Sequence, residues 1–548
     1  MTGPTDALPD EPRVPAPAAR ARDATGAPVP AESADRAPPA AGGADPSAAP
    51  APGTPRAAAG RAAGLGVLTA ACVSALVVNA NTSAVTILLP AISEDLGAPL
   101  TLLQWAVTGY MLVGAAVIVT SGALGDVLGR RRVFLAGLAL FVASCVLIAL
   151  ADSGGGVIAG RMIQGAAGST LLACGMSLLS VASSGAGQMR AITLWGAASA
   201  AGAALGPLVG GVLVETTGWQ GLFWIDAAIA AACVPLTLAT VEESRDPNRP
   251  RSIDFVGTLL IAVILVPLVL ALSEGSDWGW ISVATVGCLV VSVLGAVGFV
   301  AVEQRVTAPL VDLRLLRNSV LVGATLAILI VAGAINALMY VLSLYFQDPA
   351  GFELTALQTG LATLPAAAAM IAVTPLITPL AVKLGSGAAV ALGFGLAAVA
   401  LAVLTFVGSS WTYGAFVLPL VVVAVGLGLA NGPASSASTA SVSSDEVGQA
   451  SGISNMARYI GGSLAVAAVA TIFSEVTDSQ RQAGASPADA LAAGLSRSAL
   501  LMAFMSAAGV VLALLVRRHR SRTPAAVHRA AAAAVTAHTI PVEPSSGH

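Results

Sequence analysis

The chain has 548 residues, of which 56% are hydrophobic and 10% charged, and a formal net charge of −3. A soluble domain carries about 25% charged residues, whereas here apolar runs of roughly 20 residues, each long enough to cross a hydrocarbon core about 30 Å thick, recur along most of the sequence. This excludes a soluble enzyme and predicts an all-α, polytopic membrane protein embedded in the lipid bilayer, with no nucleic-acid partner.

Residues 1–62 hold 13 of the 31 prolines, with Ala, Gly and scattered charges. Such a segment cannot bury a core and is expected to be disordered, as is the tail 518–548. Between them we expect fourteen spans, near 64–90, 102–123, 133–151, 156–181, 192–214, 219–240, 255–274, 280–302, 318–346, 357–381, 386–408, 412–433, 449–473 and 498–516. They divide into a six-helix bundle (63–241), a linker with two extra helices (242–317) and a second six-helix bundle (318–517). With the N-terminus inside, the internal loops collect Arg130, Arg131, Arg132, Arg190, Arg245, Arg249, Arg251, Arg305, Arg314, Arg317 and Lys383, and the external loops only Arg481 and Arg497. The positive-inside rule then places both termini in the cytoplasm.

Span one contains "VVNANTSAVTILLP" (77–90). On an ideal helix Asn79, Thr82, Ser83 and Thr86 share an arc of about 100°, and Asn81 points nearly opposite. The arc either lines a cavity or bonds back to its own helix. Spans two and three are joined by "GALGDVLGRRR" (122–132). Gly122 and Gly129 allow a tight turn, while Asp126, Arg130 and Arg131 form either a positive-inside anchor or a charged latch that changes partners as the bundles move.

Arg161 in span four and Arg458 in the thirteenth are the basic residues placed inside spans. Intramembrane charges are expensive and face a cavity or a partner. Arg161 either anchors a substrate or responds to proton movement, or it is structural, bonded to carbonyls and Gln164. In span five Gly202, Gly206 and Gly210 recur at i, i+4 and i+8, a small-residue stripe that lets helices approach closely. Pro207 can bend the same helix, and Gly211 follows. This reads as a pliable hinge or as ordinary close packing. Asp226 is the carboxylate expected within a span; it is either a proton carrier or a cap at the start of span six. Asn336, Tyr340 and Asn455 are uncharged polar groups able to orient a cargo.

The five cysteines lie in apolar segments and the four histidines in the C-terminal tail. No disulfide framework, metal site, cofactor site or phosphate-cradling loop is predicted.

Several of these pieces together resemble the major facilitator superfamily. "GALGDVLGRRR" is similar to its signature loop, "RMIQGAAG" (161–168) to its Arg-x-x-Gln-Gly motif and "GAALGPLVGG" (202–211) to its antiporter motif. The fourteen spans, "WQGLFWIDAAI" (219–229) and "GQASGISNMARYIGG" (448–462) resemble the fourteen-helix drug:proton antiporters. The resemblance implies the major facilitator fold arranged 6+2+6. It also implies a monomeric, proton-coupled exporter of amphipathic drugs or natural products in the cell membrane, working by alternating access. Two departures stand out. The family's span-one pattern, Leu-Asp-x-Thr-x-x-Asn-x-x-Leu-Pro, puts Asn81 at its acid and Thr86 at its Asn. Asp226 sits where the family usually has Asn. Asp226 and Asp126 are therefore the candidates for proton coupling. Uptake or exchange of a metabolite, or a non-transporting membrane sensor or scaffold, are the alternatives; an enzyme is not expected.

Overall fold

The structure, a computed structural model, describes residues 55–182, 185–245, 254–306, 309–443 and 446–522. Within these, fourteen helices are long and apolar enough to cross a membrane. They are α1 (Pro55–Leu96), α2 (Trp105–Leu128), α3 (Arg130–Ala149), α4 (Gly154–Ala182), α5 (Gly185–Thr217), α6 (Gln220–Thr240), α7 (Phe255–Trp278), α8 (Val283–Glu303), α9 (Ser319–Gln347), α10 (Ala356–Leu384), α11 (Ser386–Leu404), α12 (Tyr413–Ala440), α13 (Val447–Gln482) and α14 (Pro487–Arg522).

Each expected span has its helix, but several ends differ. Residues 55–62 belong to α1 and 518–522 to α14, although both stretches were expected to lack structure. Residues 1–54 and 523–548, with most of the 241–254 linker, lie outside the described residues. The stretch 474–497, expected to be mostly loop, continues α13 and begins α14, so Arg481 lies in the last turn of α13 and Arg497 in the third turn of α14. Arg190 likewise falls inside α5, so Arg161 and Arg458 are not the only basic residues on long helices. Arg190 and Arg497 are exposed, however.

The helix ends follow local chemistry. Asn318 caps α9, its side-chain oxygen accepting from the N–H groups of Val320 and Leu321 at 3.0 and 3.2 Å. Thr355 and Gln358 form a capping box on α10, and Ser282 and Asp254 cap α8 and α7. Gly129 turns α2 into α3 at φ +118°, and Gly385 turns α10 into α11 at φ +83°. Side-chain-bearing residues rarely adopt either conformation.

The packing repeats with an offset of eight helices. α3 packs on α4 and α6, and α11 on α12 and α14; α2 packs on α4, and α10 on α12. The close crossing of α1 and α5 has the same counterpart. A Cβ on Gly202 or Gly206 of α5 would strike the carbonyls of Leu76 or Ala80 in α1. A Cβ on Gly461 of α13 would strike the carbonyl of Leu329 in α9. Lipid tails give helices no hydrophobic reason to associate, so such small-residue contacts hold them together.

One large core joins residues of α1–α6 with Tyr340, Val466 and Ala470; a second is built from α9–α14. A third, including Leu112, Ala116, Ile261, Leu265 and Ala467, lodges α7 against α2 and α13. Helices α1–α6 and α9–α14 also meet directly, α2 against α13 and α5 against α10. At the second crossing a Cβ on Gly211 would lie 2.5 Å from Leu357 Cα, and one on Gly360 2.7 Å from the Pro207 carbonyl.

Candidate functional site

The polar residues of α1 divide as the helical wheel predicts. Asn79, Thr82 and Ser83 are partly exposed, and each also bonds to its own helix. The Asn79 amide donates to the Ala75 carbonyl at 2.7 Å, the Thr82 hydroxyl to Val78 at 2.7 Å and the Ser83 hydroxyl to Asn79 at 3.1 Å. Thr86 is buried, and its carbonyl accepts the Ser343 hydroxyl of α9 at 2.8 Å. Gln347 reaches the neighbouring Ile87 carbonyl at 3.1 Å. These bonds tie α1 to α9 near the ends that lie farthest along each helix from its start, Pro55 and Ser319.

Asn81 faces the other way, into the first six helices, and is 0% exposed. It joins two charges that do not touch. Its amide donates to Asp226 Oδ2 at 2.7 Å, and its oxygen accepts from Arg161 Nη1 at 2.5 Å. Arg161, also 0% exposed, donates through Nε to the Ala106 carbonyl at 3.0 Å and through Nη1 to Gln164 at 2.5 Å. Gln164 in turn donates to Cys145 Sγ at 3.0 Å. The Arg161 guanidinium carbon lies 4.2 Å from the centre of the Tyr110 ring, within cation–π range. A carboxylate from α6, an amide from α1 and a guanidinium from α4 thus form one buried, hydrogen-bonded line.

The local sequence explains why the line fits. Arg161 and Gln164 are one turn apart and share a face. Gly165 and Gly168, next along α4, leave room for Tyr110: a Cβ on Gly165 would meet its carbonyl, and one on Gly168 would lie 2.6 Å from its hydroxyl. Asp226 is the seventh residue of α6 and 4% exposed, so it does not cap the helix start. It is also not the sole buried acid. Glu303 at the end of α8 and Asp254 at the start of α7 are 5% and 7% exposed, and they belong to the extra helix pair.

The structure thus places Asn81 and Asp226, 145 residues apart in the sequence, in direct contact.

The 122–132 loop is tied to its own set of helices. Asp126 pairs with Arg130 one turn on, at 2.9 and 3.0 Å. Arg131 Nη2 donates to the Leu238 carbonyl of α6 at 2.7 Å, and the Arg130 N–H to the Ser244 carbonyl at 2.9 Å. Glu243 accepts the Arg131 N–H at 3.2 Å and lies 3.5 Å from Arg132 Nε. A Cβ on Gly129 would lie 2.5 Å from the same carboxylate, so Gly129 serves both the turn and this contact. Gly122 does neither: it is helical, and a Cβ there would meet nothing within 4 Å.

The candidates of the second set occupy α9 and α13. The Asn336 and Asn455 amides bond back to Ala332 at 2.8 Å and Ser451 at 3.1 Å. Tyr340 is 3% exposed within the first core. Arg458 is partly exposed and donates to Asn431 of α12 at 3.2 Å. Among the described residues no carboxylate lies within ion-pair distance of it. Sequence reasoning did not single out Tyr110, Glu243 or Asn431; each matters only through a contact distant in sequence. The described residues include no group of three or more His, Cys, Asp or Glu able to hold a metal.

Comparison with known proteins agrees with this geometry. The sequence profile of the Major Facilitator Superfamily matches residues 71–466. The chain is 28% identical over 405 residues to the tetracenomycin C resistance and export protein of Streptomyces glaucescens, covering 74% of this chain and 75% of that protein. It is 32% identical over 378 residues to the multidrug resistance protein Stp of Mycobacterium tuberculosis, covering 68% of each. Among solved structures, an auto-inhibited POT family peptide transporter superposes with a TM-score of 0.60 at 16% identity, over 85% of this chain and 97% of that one. That likeness speaks to the fold alone. The profile match spans most of the chain, from α1 into α13, and the chain belongs to the Major Facilitator Superfamily.

Proposed function

We propose that this chain is a secondary active exporter of small organic molecules. It acts as a monomer in the cell membrane with both termini in the cytoplasm, and it exchanges cargo for protons by alternating access. Residues 63–241 and 318–517 are the two moving halves, and 242–317 supplies two helices beside the α2·α13 contact. Efflux is favoured over uptake by the relatives, which are named as antibiotic export and multidrug resistance proteins. The hydrogen bonds from Ser343 and Gln347 to α1 and the Gly211 and Gly360 contacts close the end of the molecule that, in this orientation, faces outside. The conformer is then one that receives cargo from the cytoplasm.

The observation that carries proton coupling is the buried line Asp226–Asn81–Arg161. With Asp226 ionised, the negative and positive charges balance through the amide. A proton on Asp226 leaves Arg161 without its counter-charge, and a buried unpaired ion costs several kcal/mol. Protonation therefore changes which arrangement of α1, α4 and α6 is stable, as a coupled exporter requires. The test is export from inside-out vesicles under an imposed pH gradient. Asp226→Asn keeps a side chain of the same size that can still accept from Asn81; it should insert with lowered stability, because Arg161 loses its counter-charge, and the inserted fraction should bind cargo and lose gradient-driven export. Retention of wild-type, pH-dependent export by this variant would refute the role of Asp226.

A further inference from the structure

Arg161 and Arg458 are both set deep in the helices, yet only one is linked to a carboxylate. Arg161 makes three hydrogen bonds, stacks on Tyr110 and is joined to Asp226 through Asn81. Arg458 makes one hydrogen bond, to the neutral amide of Asn431. Its position is not peripheral. It lies in the third or fourth turn of α13, about 17 Å along that helix from its start.

The surroundings show which way it faces. Asn455, Arg458, Tyr459 and Gly462 share one side of α13, within an arc of about 100°. Tyr459 meets α2: a Cβ on Gly114 would lie 2.8 Å from its ring, and the ring centre is 6.4 Å from that of Tyr110. A Cβ on Gly462 would lie 2.5 Å from Met111 of α2 and 3.3 Å from the Asn336 amide of α9. Arg458 therefore lies at the edge of the face that α13 turns to α2, bonded to Asn431 of α12, with Asn336 one turn further along beside Gly462. No described Asp or Glu forms an ion pair there. The apolar part of the surface comes from the partly exposed Tyr459 ring, while Met111 and Tyr110, 3% and 0% exposed, are buried in the helix contact.

A partly exposed guanidinium without a counter-ion at this depth is costly unless an anion visits it. Its planar fork suits a carboxylate or sulfonate, which it can grip with two donors. We infer that Arg458, with Asn431 bonded to it and Asn336 and Asn455 about a turn away, forms a cargo-binding site for amphipathic organic anions: an acidic group on Arg458, an aromatic or aliphatic body against Tyr459. The inference names the cargo class for the export reading, but it concerns binding, which needs neither a proton gradient nor turnover.

The test uses purified full-length protein in detergent, with radiolabelled 1-naphthylacetate as the anionic probe and tetraphenylphosphonium as a cationic probe of similar apolar character. Wild type should bind the anion in preference to the cation. Arg458→Gln should weaken anion binding about tenfold or more, as expected for losing a charge-assisted hydrogen bond, and should leave cation binding unchanged or tighter. Arg458→Lys, which keeps the charge but not the fork, should fall between and shows that the loss is not one of folding. The site is disproved if Arg458→Gln and wild type bind the anion equally, if the lysine variant loses as much as the glutamine variant, or if wild type binds only the cation. Binding that behaves as expected in a protein that exports nothing would leave the site standing and remove the exporter reading instead.

Discussion

The two six-helix sets are alike in backbone and unlike in charge. In both, a glycine on the fifth helix lets it press against the first, and a single glycine at positive φ turns the second helix into the third. In the first set that turn carries Asp126, Arg130, Arg131 and Arg132, braced by Glu243. In the second it reads Lys383-Leu384-Gly385-Ser386, with no acid. The interiors differ in the same way. The first set holds a carboxylate and a guanidinium joined through Asn81; the second holds Arg458 with a neutral partner. Packing symmetry is thus kept while chemistry is divided. On the reading proposed above, the first set takes up a proton and answers it, and the second offers an uncompensated positive charge to whatever enters.

If that division is right, removing the two arginines should have different consequences. Arg161→Ala deprives the Ala106 carbonyl, Asn81 and Gln164 of their donor and leaves Asp226 buried without a counter-charge. The loss should be about 3–5 kcal/mol, seen as a collapse of folded protein by size-exclusion of a fluorescent fusion. Arg458→Ala should change the melting free energy by under ~1 kcal/mol and act on cargo instead. Equal destabilisation would erase the contrast.

The shared packing can be isolated from the charges. Gly206→Ala and Gly461→Ala each force a methyl group against a carbonyl of the neighbouring helix. Both should cost about 1–3 kcal/mol in thermal unfolding, and by similar amounts. A large cost in one set only would mean that the halves do not share this crossing.

Asp126→Asn makes the first turn nearly as acid-free as the second. The Asp126–Arg130 pair is 15% exposed on each side, so neutralising it should cost more than a solvent-exposed pair's ~1 kcal/mol or less. Slower export per inserted molecule would mark it as part of the moving latch; unchanged export in vesicles would reduce it to an anchor. The smallest effect is expected at Gly122→Ala. The new methyl group meets nothing, and helix propensity favours alanine by up to about 1 kcal/mol, so melting should be unchanged or slightly improved.

Much of this was legible in the sequence because hydropathy and helical period act locally. The fourteen spans follow from apolar runs, and the opposite facing of Asn81 from Asn79 and Thr82 follows from 100° per residue. The span-five stripe was readable too: Gly202, Gly206 and Gly210 share a face, and the structure shows that face on α1. What could not be read was partnership across the chain. Asn81 and Asp226 are 145 residues apart, and their hydrogen bond exists only because α1 and α6 are neighbours. The same holds for Arg458 with Asn431, and for Glu243 seated on Gly129. Helix ends were misjudged where polar helices continue beyond the apolar stretch, as at the end of α13 and the start of α14; composition there resembles loop, while the backbone keeps its helical bonds. Gly122 was grouped with the turn by motif, although the turn needs only Gly129.

The central claim is that the Asp226 carboxylate, hydrogen-bonded to Asn81, couples export to protons. Exchanging the two side chains tests it most directly, by measuring pH-gradient-driven export in proteoliposomes for wild type, Asp226→Asn, Asn81→Asp and the double variant. Asp226→Asn should lose coupled export, and Asn81→Asp, which sets two carboxylates against each other, should be impaired. The double variant returns one acid and one amide to the same contact and should recover to within a few-fold of wild type, a coupling of about 1–3 kcal/mol between the positions. A double variant no better than Asp226→Asn, or an Asp226→Asn protein as active and as pH-dependent as wild type, would contradict it.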